Sequence, residues 1–145
     1  MNNELLTLFD IKDDIVESFT INNIGTYYEI NIRFKPSVVC CPHCGSIHFI
    51  SKGTQKKGLV STPINDQPVK IITHLKRYKC LDCNSYFSDS NPIAYENWSF
   101  TKVAIISILN KLKPYNATYA SIARMFGVST TRIIDVFDAF VRIKR

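Results

Sequence analysis

The sequence predicts an α+β chain in which a β-rich module, residues 1–91, precedes a helical module, residues 92–145. Two pairs of cysteines, each with the spacing Cys-x-x-Cys, lie within sequence that alternates in the manner of β-strands. After Asn91-Pro92 the apolar residues recur about every 3.6 positions, which is the period of an α-helix. The change of period therefore predicts two modules in this order.

Composition places the chain of 145 residues among globular proteins. Hydrophobic residues make up 46% and charged residues 21%, and with only 5 Gly and 6 Pro a packed core is expected. No apolar run approaches the roughly 18 residues that a membrane helix needs, and the N-terminus lacks the positive flank of a secretory signal. We therefore expect a cytoplasmic protein with no membrane partner.

Charge is distributed unevenly along the chain, whose formal net charge is +6. Residues 1–36 hold three basic and six acidic side chains, whereas residues 37–88 hold seven Lys or Arg against two acids. Residues 89–145 hold eight against four. Two basic modules after an acidic lead indicate a polyanionic partner, because each Lys or Arg that neutralises a phosphate releases a counterion. The alternative is a basic surface that only keeps the protein soluble.

The β-rich module is predicted to contain a short lead helix and four strands. The lead helix covers residues 4–9, and a turn through Asn65-Asp66 separates the last two strands. The last strand is the longest and leads directly to Cys80. In chain order, the predicted strands are residues 26–34, 47–53, 57–64 and 69–79.

The two Cys-x-x-Cys pairs predict a tetrahedral zinc site. Its ligands would be Cys41, Cys44, Cys80 and Cys83, with each pair on a tight turn at the tip of a hairpin, as in a zinc ribbon. Gly45 directly follows the first pair and suits the positive φ that such turns need. Because protein sulfur would fill all four positions, the zinc would be structural. A redox Cys-x-x-Cys motif, a rubredoxin-like iron site and merely buried cysteines are weaker alternatives.

One cysteine and three histidines remain outside this pattern. An odd total of 5 cysteines argues against a disulfide framework. Cys40 is interpreted as a small buried residue or as a ligand in an adjusted register. His43, His48 and His74 are available as substitute ligands, although each such residue is more often found on a surface or in a strand.

Three helices are predicted in the second module. Ser99 is the predicted N-cap of the first, whose apolar residues recur at helical spacing over residues 103–112. The second covers about residues 118–126 and ends at Gly127, and the third begins after Ser129.

Residues 119–137 match a helix-turn-helix at its sterically constrained points. Ala123 is small where two helices would cross, Gly127 suits the turn between them, and Val128 fills the angle. In such a motif the second helix enters the major groove of DNA. Plain packing of two helices is the alternative.

Eight residues are candidates for contact with DNA. Polar and basic residues at the start of the third helix suit base edges and phosphates. Basic residues before the second cysteine pair suit the backbone, or they offset the charge of about −2 on a Zn(Cys)4 centre. The candidates are Lys76, Arg77, Lys79, Arg124, Ser129, Thr130, Thr131 and Arg132.

Three motifs in order resemble the N-terminal zinc finger of the ISL-three insertion-sequence transposases. They are Cys-Pro-His-Cys-Gly at 41–45, Pro-Ile-Asn-Asp-Gln-Pro-Val at 63–69 and Leu-Lys-Arg-Tyr-Lys-Cys-Leu-Asp-Cys at 75–83. In that family a zinc finger precedes a helix-turn-helix, so the likeness covers roughly residues 5–145. The resemblance implies that the four cysteines hold Zn²⁺ and that residues 120–137 read double-stranded DNA at the terminal inverted repeats of a mobile element.

The sequence departs from the pattern of this family in one respect. Such transposases continue into a ribonuclease-H-like domain with an acidic triad, and few acids follow residue 83 here. We therefore expect a nucleoid-associated DNA-binding part of a bacterial transposase, without catalysis or a small-molecule substrate, and we leave homodimerisation open. The alternatives are a free-standing transcriptional regulator and a zinc-ribbon adaptor for protein partners.

Overall fold

The computed structural model describes residues 11–95, 98–112 and 118–141. A short 3-10 helix, Asp13–Ile15, precedes a five-stranded sheet. The strands are β1 (Val16–Asn23), β2 (Tyr28–Phe34), β3 (Phe49–Ile64), β4 (Gln67–Cys80) and β5 (Tyr86–Ser88). Their order is β1-β2-β4-β3, with β5 paired to β4. Strands β2 and β4 run parallel, and the other neighbours run antiparallel.

In the described residues, three helices follow the sheet, so the α+β class is confirmed. They are α1 (Lys102–Leu112), α2 (Tyr119–Phe126) and α3 (Thr130–Val141). None of the helices in the described ranges has the length and apolar character needed to cross a membrane.

The hairpin of β3 and β4 is the largest element of the sheet. The predicted turn through Asn65-Asp66 connects its strands, and the structure holds these two residues at positive φ values of 50° and 60°. The prediction of two short strands in place of β3 was wrong. The pairing shifts between Ser51 and Thr54, where Lys52 and Gly53 form a bulge, and a bulge lets one strand continue where the alternation is interrupted.

The N-terminal part of the β-rich module differs from the sequence prediction at β1. Strand β1 was not predicted, because it is an edge strand on which only Val16 is fully buried and no regular alternation marks the rest. The lead helix predicted at residues 4–9 lies outside the described residues.

The two faces of the sheet differ in character. One face, which we call the core face, packs as a hydrophobic cluster that includes Ile30, Ile32, Leu59, Val69, Ile71 and Leu75. Alternate residues of the same strands point to the opposite side, which we call the open face. Its side chains are mostly polar or basic, and they include Asn31, Arg33, Lys56, Lys70, His74 and Lys76.

Local hydrogen bonds explain where the helices begin and end. The Thr101 hydroxyl accepts a hydrogen bond from the Ala104 N–H at 3.1 Å, so Thr101 caps α1 and the prediction of Ser99 was wrong. Thr118 and Ser121 cap α2 reciprocally, each side chain accepting from the other residue's N–H. Gly127 ends α2 in the left-handed conformation at φ 70°, as predicted.

The helices join the sheet at the outer edge of β3. The Val60 N–H donates to the Ser99 carbonyl at 2.8 Å, and the Thr101 N–H donates to the Val60 carbonyl at 2.9 Å. Val60 thereby enters a second hydrophobic cluster with Phe100, Ile122, Phe126, Ile133 and Val136. Because Leu59 belongs to the core face and Val60 to this cluster, adjacent residues of one strand hold the two cores together.

Gly127→Ala is expected to destabilise the protein by about 2 to 4 kcal/mol. A Cβ at Gly127 would lie 2.9 Å from Pro68 Cγ, and the left-handed backbone adds strain of about 1 kcal/mol or more. Gly53→Ala is the matched control, because Gly53 also has positive φ but nothing lies within 4 Å of its added Cβ. Denaturant unfolding measures both losses, and equal losses would contradict a close contact between the α2–α3 turn and Pro68.

Candidate functional site

The register of β3 and β4 brings the two cysteine turns together. Phe49, the first residue of β3, pairs with Cys80, the last residue of β4. The turn of residues 41–46 precedes β3 and the turn of residues 80–85 follows β4, so they meet at one end of the hairpin. Only the second turn connects two paired strands, because residues 35–40 lie outside the named strands. The prediction of a hairpin tip at each pair was therefore wrong for the first.

Both turns have the same backbone pattern. The Cys41 N–H donates to the Ser46 carbonyl at 2.8 Å, and the Cys80 N–H donates to the Ser85 carbonyl at 2.9 Å. After the second cysteine of each pair, the chain takes a positive φ, at Gly45 (77°) and Asn84 (60°). Asparagine tolerates this conformation better than most residues, which explains why the second turn needs no glycine.

The four sulfur atoms are positioned to hold a metal ion. Cys41 Sγ lies 3.7 Å from Cys83 Sγ, and Cys44 Sγ lies 3.5 Å from Cys80 Sγ. All four lie within 4.8 Å of one another. A tetrahedral ion with metal–sulfur bonds of about 2.3 Å requires sulfur atoms about 3.8 Å apart. The side chains therefore fit such an ion with only small adjustments, and the predicted ligand cluster is present.

Burial divides the four cysteines into two kinds. Cys41 and Cys80, the first of each pair, are buried, whereas Cys44 and Cys83 are exposed. The cluster thus lies at the surface, with Cys41 and Cys80 as its buried half. Cys40 is exposed and lies outside the cluster, so its interpretation as a small buried residue was wrong.

The four thiols perturb one another's ionisation. The Ser46 backbone N–H lowers the pKa of Cys44, but the other three thiols and desolvation outweigh it and raise that pKa to about 12. Hydrogen bonds from Ser85 lower the pKa of Cys83 to about 6. Four negative thiolates at these distances repel one another, so their full ionisation requires a bound cation.

A polar brace that the sequence did not indicate joins the two turns. The Ser46 hydroxyl donates to the Asp82 carboxylate, and the His48 ring lies 3.4 Å from the same carboxylate. The Leu81 N–H donates to the His48 carbonyl at 2.9 Å. The hydrogen bond from Ser46 and the His48 ring lower the pKa of Asp82 against a smaller effect of desolvation. His48, considered a substitute ligand in the sequence, is part of this brace.

A buried carboxylate fixes the segment that leads to the first turn. Asp89 is 4% exposed and accepts hydrogen bonds from the backbone N–H groups of Ser37 and Val38. Its other oxygen accepts from the Tyr78 hydroxyl at 3.1 Å. Burial, with the charge of Asp89, raises the pKa of Tyr78 to about 12, so the phenol remains a donor at neutral pH. A lone Asp after a strand gave no signal of this role in the sequence.

The eight candidate DNA contacts occupy two regions. Lys76, Arg77 and Lys79 lie near the cysteine end of β4, where Lys76 belongs to the open face and Arg77 and Lys79 point the other way. The Lys79 amine lies 5.6 Å from the centre of the Tyr86 ring. The remaining candidates lie on the helix pair, where Arg124, Ser129, Thr130 and Thr131 are exposed.

Arg132 makes contacts within the chain. Its guanidinium carbon lies 4.7 Å from the centre of the Phe100 ring, and its Nη2 atom donates to the Ser99 hydroxyl. The side chain is half-buried and connects α3 to the segment that pairs with β3. Arg132 therefore orients α3 on the sheet, whatever else it contacts.

Comparisons with models of protein families, with curated proteins and with solved structures found no match to this chain.

The protein is expected to bind one thiolate-preferring metal ion per chain. Cys83→Ser is expected to lower the affinity at least tenfold, because it removes one of four ligands at an exposed position where packing is unaffected. Cys40→Ser is the matched control, since Cys40 is also exposed but lies outside the cluster. Elemental analysis after dialysis against a weak chelator measures the difference, and equal metal contents would contradict the assigned ligand set.

Metal affinity is expected to fall as the pH is lowered from 8 to 5. Cys44, with its raised pKa of about 12, is protonated over this whole range and releases a proton on binding, which contributes a slope of about one logarithmic unit per pH unit. Cys83, with a pKa of about 6, is protonated only below that pH, so the slope steepens there. Competition titrations with a chromophoric chelator measure the slope, and an unchanged slope across pH 6 would contradict the assignment for Cys83.

Proposed function

We propose that this chain binds double-stranded DNA through α2 and α3, and that a structural zinc ion supports the sheet on which these helices pack. The observation that carries the proposal is the joint between α2 and α3. Gly127 turns the chain in the left-handed conformation, while Ile122, Ala123, Phe126, Ile133 and Val136 share a buried core. Short polar side chains at the start of α3 remain exposed.

The exposed start of α3 is suited to a major groove. Ser129, Thr130 and Thr131 are exposed, and the first turn of α3 contains no acidic residue that would repel phosphate. A major groove about 12 Å wide admits a helix, and hydroxyl groups contact both base edges and phosphates. The free N–H groups at the helix N-terminus add a favourable electrostatic term for phosphate. In this proposal Thr130 and Thr131 read the DNA, and Arg124 on α2 contacts its backbone.

Arg132 has two functions in the proposal. A guanidinium group has five N–H donors, and one of them already goes to the Ser99 hydroxyl. Stacking on Phe100 fixes the plane of the group. The remaining donors can contact a phosphate or a guanine edge with little further loss of side-chain entropy.

Zinc is the metal that the four ligands favour. Four thiolates in a tetrahedral arrangement are typical of structural zinc, and they leave no coordination site for water or substrate. The ion would hold the start of β3 against the end of β4 and so fix the hairpin that carries the helices.

The sequence resemblance supports a narrower proposal about the target. We propose that the chain is the recognition part of a transposase, that it binds terminal inverted repeats of a mobile element, and that strand cleavage requires a catalytic domain outside this sequence. Inverted repeats present the same site twice, so a homodimer belongs to the proposal.

Selection from a pool of random duplexes with the wild-type protein tests the target. The selected sequence is expected to match an inverted repeat flanking the coding region. A promoter operator as the preferred site would contradict the transposase assignment but retain DNA binding. Failure to retain any duplex at 50 mM salt, with a salt-resistant protein partner instead, would contradict the whole proposal.

Two single substitutions separate base reading from backbone contact. Thr131→Ala is expected to lower the preference for the selected duplex over a scrambled duplex about fivefold, because it removes a hydroxyl at the start of α3. Arg124→Gln is expected to weaken both duplexes equally and to reduce the slope of log affinity against log salt by about 1. Lys12→Gln is the control, since Lys12 is exposed outside the helix pair. Fluorescence anisotropy over a salt series measures these effects, and identical behaviour of all three variants would contradict the assignment.

A further inference from the structure

Three strands bring two cations and a histidine into one row on the open face. Arg33 on β2 pairs with His74 on β4, and His74 pairs with Lys56 on β3. Residues that pair across neighbouring strands point to the same face, so the three side chains lie side by side. Arg33 and Lys56 are exposed at the two sides of the buried histidine. Sequence spacing did not indicate this row, because its members are 41 and 18 positions apart.

The row extends in both directions along β4. Lys70 and Lys76 lie on the same face, and six residues of strand separate them by about 20 Å. Within the described ranges, none of these four cations forms an ion pair with a carboxylate. Glu29 pairs with Lys70 across the strands on this face, but its carboxylate accepts a hydrogen bond from Asn31. The row therefore presents four positive charges without direct neutralisation.

The positive charge of this row acts on the buried imidazole ring of His74. Its Nε2 atom lies 3.1 Å from the Asn31 side-chain oxygen. Burial lowers the pKa of His74, and the charges of Arg33 and Lys56 lower it further. The histidine is neutral at pH 7 and adds no charge, while the two cations that flank it retain theirs.

The open face reaches the turn between α2 and α3. The side chain of Lys70 extends over Gly58, because a Cβ added at Gly58 would lie 3.2 Å from Lys70 Cε. Lys70 also lines a cleft of about 770 Å³ together with Gly127 and Arg132. The cations thus run from Lys70, beside the α2–α3 turn, to Lys76 near the cysteine turns.

We propose that the open face binds the phosphate backbone of duplex DNA through Arg33, Lys56, Lys70 and Lys76, next to the groove that α3 enters. This inference rests on the proposed function and adds Arg33, Lys56 and Lys70 to the residues that contact DNA. A DNA strand rises roughly 3.4 Å per nucleotide, so cations spread over about 20 Å can contact the phosphates of several nucleotides. Ser18, Thr20 and Asn22 on β1 follow Arg33 on the same face and offer the hydroxyl and amide groups that accompany Lys and Arg at DNA backbones.

The double variant Arg33→Gln/Lys56→Gln tests this surface. Its slope of log affinity against log salt is expected to fall by about 2, and its affinity at 0.1 M salt by about 50-fold. Selected and scrambled duplexes are expected to lose affinity equally, because backbone contacts carry no sequence information. Lys12→Gln/Lys57→Gln is the matched control, since Lys57 neighbours Lys56 on the same strand but belongs to the core face. The control is expected to retain the wild-type slope.

A second measurement uses the wild-type protein and does not depend on how the variants fold. Duplex DNA is expected to protect Lys56, Lys70 and Lys76 from acetylation at least threefold, and to leave Lys12 reactive. Suppose the wild-type protein binds DNA, the double variant keeps the wild-type salt slope, and DNA protects none of the three lysines. That result would overturn the proposed surface alone. Absence of wild-type DNA binding would overturn the proposed function with it, and binding of single-stranded RNA in place of duplex DNA would overturn the choice of partner.

Discussion

The antiparallel register of β3 and β4 determines where the two cysteine turns meet and where the cations of these two strands lie. At one end of the hairpin, Asn65 and Asp66 fix the turn with their positive φ values. At the other end, Phe49 faces Cys80, so the two cysteine turns meet. A slip of one residue would reverse the two faces of β3 and move the turns apart. The bulge at Gly53 lies between these ends. It lets one continuous strand pair with β4 both at the Asn65-Asp66 turn and at the cysteine turns.

The same hairpin connects the cysteine cluster with the helix pair. Strand β4 has 14 residues, which corresponds to a length of about 45 Å, and the helices contact the sheet near Val60 and Pro68 at the turn end. The hydrophobic cluster of the helices contains none of the four cysteines. A metal ion would therefore act on the helices only through the rigidity of the paired strands. The open face is the surface that lies between these two ends.

The sequence predicted the features that local chemistry dictates. The cysteine spacing, the β4 alternation that ends at Cys80, and Gly127 as the end of α2 each follow from one or two residue types with a specific requirement. Features that depend on pairing between distant segments were not predicted. Strand β1 is defined by its pairing with β2, and the row of Arg33, Lys56 and His74 exists only through the register of three strands. Arg132 was assigned to DNA from the helical pattern alone, which contains no information about Phe100.

The electrostatics of the cysteine cluster bear on where a polyanion can bind. With a divalent ion bound, the four thiolates would leave a net charge of about −2, which would repel phosphate from the exposed Cys44 and Cys83. A DNA backbone that follows the open face from α3 would therefore be attracted as far as Lys76 and repelled beyond it. In the proposed complex, the negative cluster would set one boundary of this surface and the turn at Gly127 the other. A backbone held between these limits in that complex would fix the angle at which α3 meets the groove, which no contact made by α3 alone could determine.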